Sequence, residues 1–220
     1  MTKSEQNFSF LEFLLIVFLM FFPFLGLLPL FSYVAGCLAA ILFYLKTINK
    51  TWADLGLTIQ TLNRKAITVG IISGVIWVTF IVFIYSPIFS FLIKDYNPNH
   101  AKYDFLRKSS SIFFMTILTG GWLVGGFYEE IAFRACIPNI LCSWNKNRDS
   151  SYVPTIILSS LLYGLYYWRF DIYNMIPATL GGIYWSILVK RFKGNIWYSI
   201  ISHGTYSTLA YVMIYYGKPF

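Results

Sequence analysis

Residues 121–141 read GWLVGGFYEEIAFRACIPNIL, and three charges in this stretch decide how the chain is read. Glu129, Glu130 and Arg134 stand inside an apolar segment that runs from Ser111 to Trp144. Inserting an ionisable group at the centre of an apolar helix into a bilayer costs roughly 2.5–3.5 kcal/mol, so such groups face a cavity or one another. Glu130 and Arg134 are four residues apart, on one helix face, where they can pair. Glu129 lies about 100° round the helix from Glu130, away from that arginine. The spacing thus separates a carboxylate tied to a guanidinium from a second one left for chemistry, a candidate general base on water. An ion pair that only orients the helix is the competing reading.

The rest of the chain says what kind of helix this is. Of 220 residues, 57% are hydrophobic, 20% aromatic and 12% charged. Soluble domains run at about 45–50% apolar and about 25% charged. A soluble fold of this size could not bury that much apolar surface and keep a polar shell. The composition therefore excludes a soluble globular enzyme, a disordered tail and a disulfide-stapled secreted module. Cys37, Cys136 and Cys142 are odd in number, lack CxxC spacing and read as buried small hydrophobes.

The expected fold is an all-α, polytopic transmembrane helical bundle of about seven to eight spans, in one integral membrane domain over residues 1–220. A span needs about 20 mostly apolar residues, which places spans at about 8–28, 30–45, 66–93, 111–144, 152–168, 173–189 and 195–216. Glu12 is a charge near the start of the first; Pro23, Gly26 and Pro29 mark a turn after it. No cleavable signal peptide is expected: the apolar run is too long and only Lys3 precedes it. Polar loops are expected at 46–65, 94–110 and 145–151. As an α-helix the segment from Ser111 would be about 50 Å long, so it must tilt, project, or kink near Gly120–Gly121 or Pro138. Gly70-x-x-x-Gly74 is a spacing that permits close helix contact.

The net charge of +8 reads as topology rather than as a nucleic-acid footprint. With the N-terminus cytoplasmic, Lys3, Lys46, Lys50, Arg64, Lys65, Lys146, Arg148, Lys190, Arg191 and Lys193 fall inside. Lys94, Lys102, Arg107, Lys108, Arg169 and Lys218 fall outside, and the inside excess favours that orientation. The expected location is the plasma membrane.

Two other spans carry polar groups. His203 stands in the last, with Ser207 one turn on; Tyr163 and Tyr167 are likewise four residues apart. An embedded histidine points to a polar cavity, against the alternative of a satisfied core group. The tyrosines compete with an interfacial aromatic belt or core packing. His100, in a loop, is given no role.

Glu129-Glu130-Ile131-Ala132-Phe133-Arg134 resembles the E-E-x-x-x-R signature of the CAAX-protease and bacteriocin-processing family of intramembrane endopeptidases. Asp54-Leu55-Gly56-Leu57 is similar to the family's upstream L-G-L element. Residues 159–167, SSLLYGLYY, resemble its second motif, F-x-x-x-H. The segment from Gly181-Gly182 through Lys193-Gly194-Asn195-Ile196 to His203 resembles its third, H-x-x-x-N/D. The likeness extends over roughly residues 50–215 and implies the family's membrane bundle.

The resemblance implies roles position by position. Glu129 falls on the catalytic glutamate that activates water, and His203 on the third-motif histidine. Glu130 and Arg134 fall on the supporting pair, and Tyr163 on the aromatic residue that opens the second motif. Tyr167 stands where the family has histidine, and Ser207 where it has asparagine or aspartate; Asn195 is too far up the helix to replace the latter. Tyrosine and serine can donate hydrogen bonds, but tyrosine is no neutral base or metal ligand near pH 7. Two readings stay open: an intramembrane peptidase cutting membrane-associated or lipidated substrates with Glu129 as base, or a non-catalytic binding, scaffold or self-immunity protein. No cofactor and no metal is expected to be required, because a catalytic zinc takes three protein ligands and this chain offers few. The expected partners are membrane lipid and a membrane-associated peptide or lipidated protein, not nucleic acid.

Overall fold

The structure, a computed structural model, describes residues 3–28, 30–92, 100–144, 152–168 and 172–217. Among these residues there is no strand. The helices are α1 (Lys3–Phe21), α2 (Tyr33–Thr47), α3 (Arg64–Leu92), α4 (Ser110–Trp144), α5 (Tyr152–Tyr167), α6 (Ile172–Arg191) and α7 (Trp197–Tyr215). Each falls on one of the apolar segments marked from the sequence. Of these, α3 and α4 are long and apolar enough to cross a membrane. The expected loop at 46–65 holds two short 3-10 turns, Trp52–Leu55 and Ile59–Thr61. In the expected loop at 94–110, residues 94–99 lie outside the described residues and His100–Arg107 form a 3-10 helix. The expected loop at 145–151 lies outside them altogether.

The winding of α4 takes up part of its length. Ile117–Glu129 and Ile131–Cys136 are π-helical, and α-helix resumes at Ile137. A turn closed by i→i+5 bonds holds more residues than an α-turn, so the segment is shorter than the α estimate. Gly120 and Gly121 lie inside the widened stretch and Pro138 just beyond it.

The chain divides into two compact units, Met1–Thr61 with Tyr128–Ile196 and Leu62–Phe127 with Trp197–Phe220. The first unit is stapled at two places. Glu12 of α1 is a buried carboxylate rather than a boundary charge. It accepts from the Tyr44 hydroxyl of α2 at 2.8 Å, from Ser143 Oγ at 3.4 Å and from Trp144 Nε1 at the end of α4. Three donors offset the cost of removing this charge from water. The second staple is the Leu-Gly-Leu element. Thr51 and Asp54 form a capping box, the Asp54 carboxylate accepting from Thr51 N at 2.7 Å and Thr51 Oγ1 at 2.9 Å. These bonds favour the ionised form and hold the Asp54 carboxyl below its usual range. Gly56 then takes φ +77°, and a Cβ there would collide with the Gly194 carbonyl oxygen. Ile196 N donates to Gly56 O at 3.4 Å, and Asn195 Nδ2 donates to Thr61 O at 3.0 Å. The upstream element is therefore a clasp onto the turn that precedes α7.

In the second unit, α3 lies against α7. A Cβ on Gly74 would stand 2.5 Å from Ser202 O, and one on Gly70 would stand 2.6 Å from the Ile201 Cβ. Ser202 Oγ donates to Ser73 Oγ at 3.1 Å across the same seam. The Gly-x-x-x-Gly spacing is thus used inside the chain. Arg107 caps the far end of α7, Nη2 donating to Ile214 O at 2.9 Å and Nε to Tyr215 O at 3.2 Å. Gly74→Leu is expected to lower unfolding stability by about 1–3 kcal/mol or more through overpacking. Val75→Leu, on an exposed face, is expected to leave stability unchanged. Thermal unfolding in detergent measures both, and equal melting of the two variants would contradict the seam.

Candidate active site

The site in the first unit is built from one turn of α4 and one face of α5. Glu129 is only 2% exposed, and its carboxylate is not left bare. The Tyr163 hydroxyl donates to its Oε2 at 2.6 Å, and the Tyr167 hydroxyl stands 3.0 Å from both oxygens. Tyr163 and Tyr167 reach one carboxylate because residues four apart share a helix face. The carboxylate expected to be left over is thus held by two phenols.

Glu130 and Arg134 pair as their spacing requires, Arg134 Nη2 lying 3.2 Å from Glu130 Oε1 with both side chains fully enclosed. The guanidinium carbon also lies over two rings, with Cζ 4.0 Å from the centre of Tyr163 and 5.3 Å from that of Trp185 in α6. Such stacking suits a planar, weakly hydrated cation. Tyr163 is the link: its ring covers Arg134 while its hydroxyl bonds Glu129. Sequence reasoning missed Trp185, because an aromatic residue in an aromatic-rich helix carries no mark of its neighbour. Arg134 Nε and Nη1 have no acceptor among the described residues. A buried donor left so costs about 1–3 kcal/mol, more when charged.

His203 and Ser207 lie in the second unit. His203 is buried, and the shared face expected from the spacing is visible at Gly125 of α4. A Cβ on Gly125 would stand 3.2 Å from His203 Nε2 and 3.3 Å from Ser207 Oγ. Gly125 thus keeps room beside the two polar groups, and Trp122 Nε1 donates to Thr208 Oγ1 at 3.0 Å one turn away. Neither Gly125 nor Trp122 was singled out in the sequence. The first unit therefore gathers Glu129, Glu130, Arg134, Tyr163 and Tyr167, and the second gathers His203 and Ser207.

Among the described residues no three of His, Cys, Asp and Glu stand close enough to share an ion. Glu130 is committed to Arg134, and the second-motif position offers a phenol, which is protonated near pH 7.

Residues 110–209 match the family model described as Rce1-like, type II CAAX prenyl endopeptidase Rce1-like. The matched region runs from the start of α4 into α7 and contains every candidate residue named above. This match agrees with the resemblance to the CAAX-protease and bacteriocin-processing family that the motifs carry. An uncharacterized protein of Mycoplasma capricolum subsp. capricolum is 38% identical over 66 residues, which cover 30% of this chain and 20% of that protein. The chain thus matches about a fifth of that relative's length. No solved structure matches.

Breaking a buried ion pair from one side leaves a bare buried charge and costs about 3–5 kcal/mol. Arg134→Met alone is expected to destabilise by that amount, and Glu130→Gln with Arg134→Met is expected to recover much of it. Denaturant unfolding of the two variants decides the point; equal losses would show that charge pairing is not what Arg134 supplies.

Proposed function

We propose that this protein is an intramembrane CAAX-type peptidase that hydrolyses peptide bonds of membrane-associated or lipidated substrates, with Glu129 activating the water. The observation that carries the reading is the enclosed Glu129 carboxylate, oriented by Tyr163 and Tyr167 inside the Rce1-like region. Glu129 takes a proton from water as the water oxygen attacks the scissile carbonyl; the C–N bond of the tetrahedral intermediate then breaks as Glu129 returns that proton to the leaving amine. The Tyr167 hydroxyl, 3.0 Å from both oxygens of that carboxylate, takes the donor place of the family's histidine. Water must share Glu129 with two phenols, so one hydroxyl turns from the carboxylate toward the water or the oxyanion during turnover. His203 and Ser207 receive their roles from motif position: His203 as the second catalytic group, Ser207 as a donor to the oxyanion. The protein resides in the plasma membrane as one bundle with its N-terminus cytoplasmic.

The second reading is a family member that binds membrane partners without cleaving them. The phenol in place of imidazole favours it, since Tyr167 spans both carboxylate oxygens and competes with water for them.

Cleavage of lipidated peptides by the protein in proteoliposomes tests both. Glu129→Gln is expected to abolish turnover at unchanged melting temperature, and full activity in that variant would overturn the mechanism. Loss of one oxyanion donor costs about 10²–10³ in rate, so Tyr167→His with Ser207→Asn is expected to raise turnover. No cleavage by either form, with peptide binding intact, selects the non-catalytic reading.

A further inference from the structure

The second unit carries a groove of about 760 Å³ bounded by α3, α4 and α7. Its walls reach the surface: Leu62, Ile67 and Ile71 on the α3 side and Leu118 and Leu123 on the α4 side are exposed. None of the described residues lining it is charged. Polar groups in its wall are spent within it, Trp122 Nε1 donating to Thr208 Oγ1 at 3.0 Å and Thr208 Oγ1 donating to Gly204 O at 2.8 Å. His203 and Ser207 do not line it.

The groove has a direction. Gly70 packs on Ile201 and Gly74 on Thr205, so α3 and α7 run side by side the same way. Their N-termini therefore stand at one end of the groove, which Leu62, Phe127 and Trp197 line. The Phe127 and Trp197 rings lie there with centres 6.5 Å apart, and tryptophan is favoured at the headgroup level of a bilayer. Leu118 and Leu209 line the other end. Along an α-helix Trp197 and Leu209 are separated by about 18 Å. One leaflet of a hydrocarbon core about 30 Å thick is about 15 Å deep, so the groove is as long as one leaflet. Arg64, the exposed first residue of α3, precedes Ile67 by three residues and Ile71 by seven, on the same helix face. A cation thus stands at the mouth of an uncharged groove, at the end where two helix dipoles also point their positive ends.

We infer that this groove is a binding site for one anionic phospholipid of the bilayer, with an acyl chain lying along it and the headgroup phosphate at Arg64. A guanidinium can give a phosphate two parallel hydrogen bonds, which the ammonium of a zwitterionic headgroup partly offsets by its own positive charge. Arg107, at the opposite end of α7, is engaged with Ile214 O and Tyr215 O. The inference concerns binding and does not depend on cleavage at Glu129.

Native mass spectrometry of the delipidated full chain in detergent counts the bound lipid. Phosphatidylglycerol and phosphatidylcholine with identical acyl chains are titrated in turn. Wild type and Glu129→Gln are expected to bind one phosphatidylglycerol about fivefold more tightly than phosphatidylcholine, the equivalent of about 1 kcal/mol for one basic residue at the membrane surface. Arg64→Gln is expected to remove that preference and to leave phosphatidylcholine binding unchanged. Ile71→Trp, which fills the groove from an exposed position, is expected to weaken both lipids. Leu118→Trp is the second filling variant, and serves if Ile71→Trp fails to fold. Equal binding of the two lipids by wild type, a preference kept by Arg64→Gln, or binding unchanged by both filling variants overturns the inference. So does displacement of phosphatidylglycerol by a lipidated peptide at a lower half-saturating concentration, which would give the groove to substrate.

Discussion

The buried pairing of Glu130 with Arg134 is the constraint on which the first unit depends. An unpaired charge in this environment is too costly to keep, so the two residues must face each other, and i,i+4 spacing on α4 makes that possible. Once the guanidinium is placed, its flat faces need cover, which Tyr163 from α5 and Trp185 from α6 supply. Three helices are thereby fixed round one cation. Tyr163 then carries its hydroxyl to Glu129, so the position of the proposed base follows from the position of an arginine that does not itself bond it.

Close backbone approach is the second theme. Where hydrophobic contact drives association only weakly, helices gain by packing small residues face to face. Gly70 and Gly74 do this for α3 against α7, and Gly125 does it beside His203 and Ser207. Gly56 does it in a loop, where a left-handed turn meets the Gly194 carbonyl. At the seam of α3 and α7 the Ser73 and Ser202 hydroxyls meet each other.

Tyr167 places a phenol beside Glu129 where the motif it resembles has an imidazole. A phenol donates one hydrogen bond and holds its proton near pH 7, whereas imidazole can donate or accept. The arrangement at Glu129 is therefore rich in donors and poor in bases.

The sequence by itself determined the helical segments found among the described residues, the pairing of Glu130 with Arg134 and the likeness of the region from α4 to α7 to the Rce1-like family model. These follow from hydropathy and from spacing along one helix, which are local properties of the chain. It did not determine that Glu129 is held by two tyrosines, that Trp185 covers Arg134, or that Glu12 is a three-donor staple rather than a charge at a boundary. Each of these joins residues more than thirty positions apart, and no periodicity records such a meeting. The winding of α4 was also beyond reach, because i→i+4 and i→i+5 bonding draw on the same apolar residues. Only the tertiary structure decided these points, since which buried polar group finds which partner is settled when the helices pack.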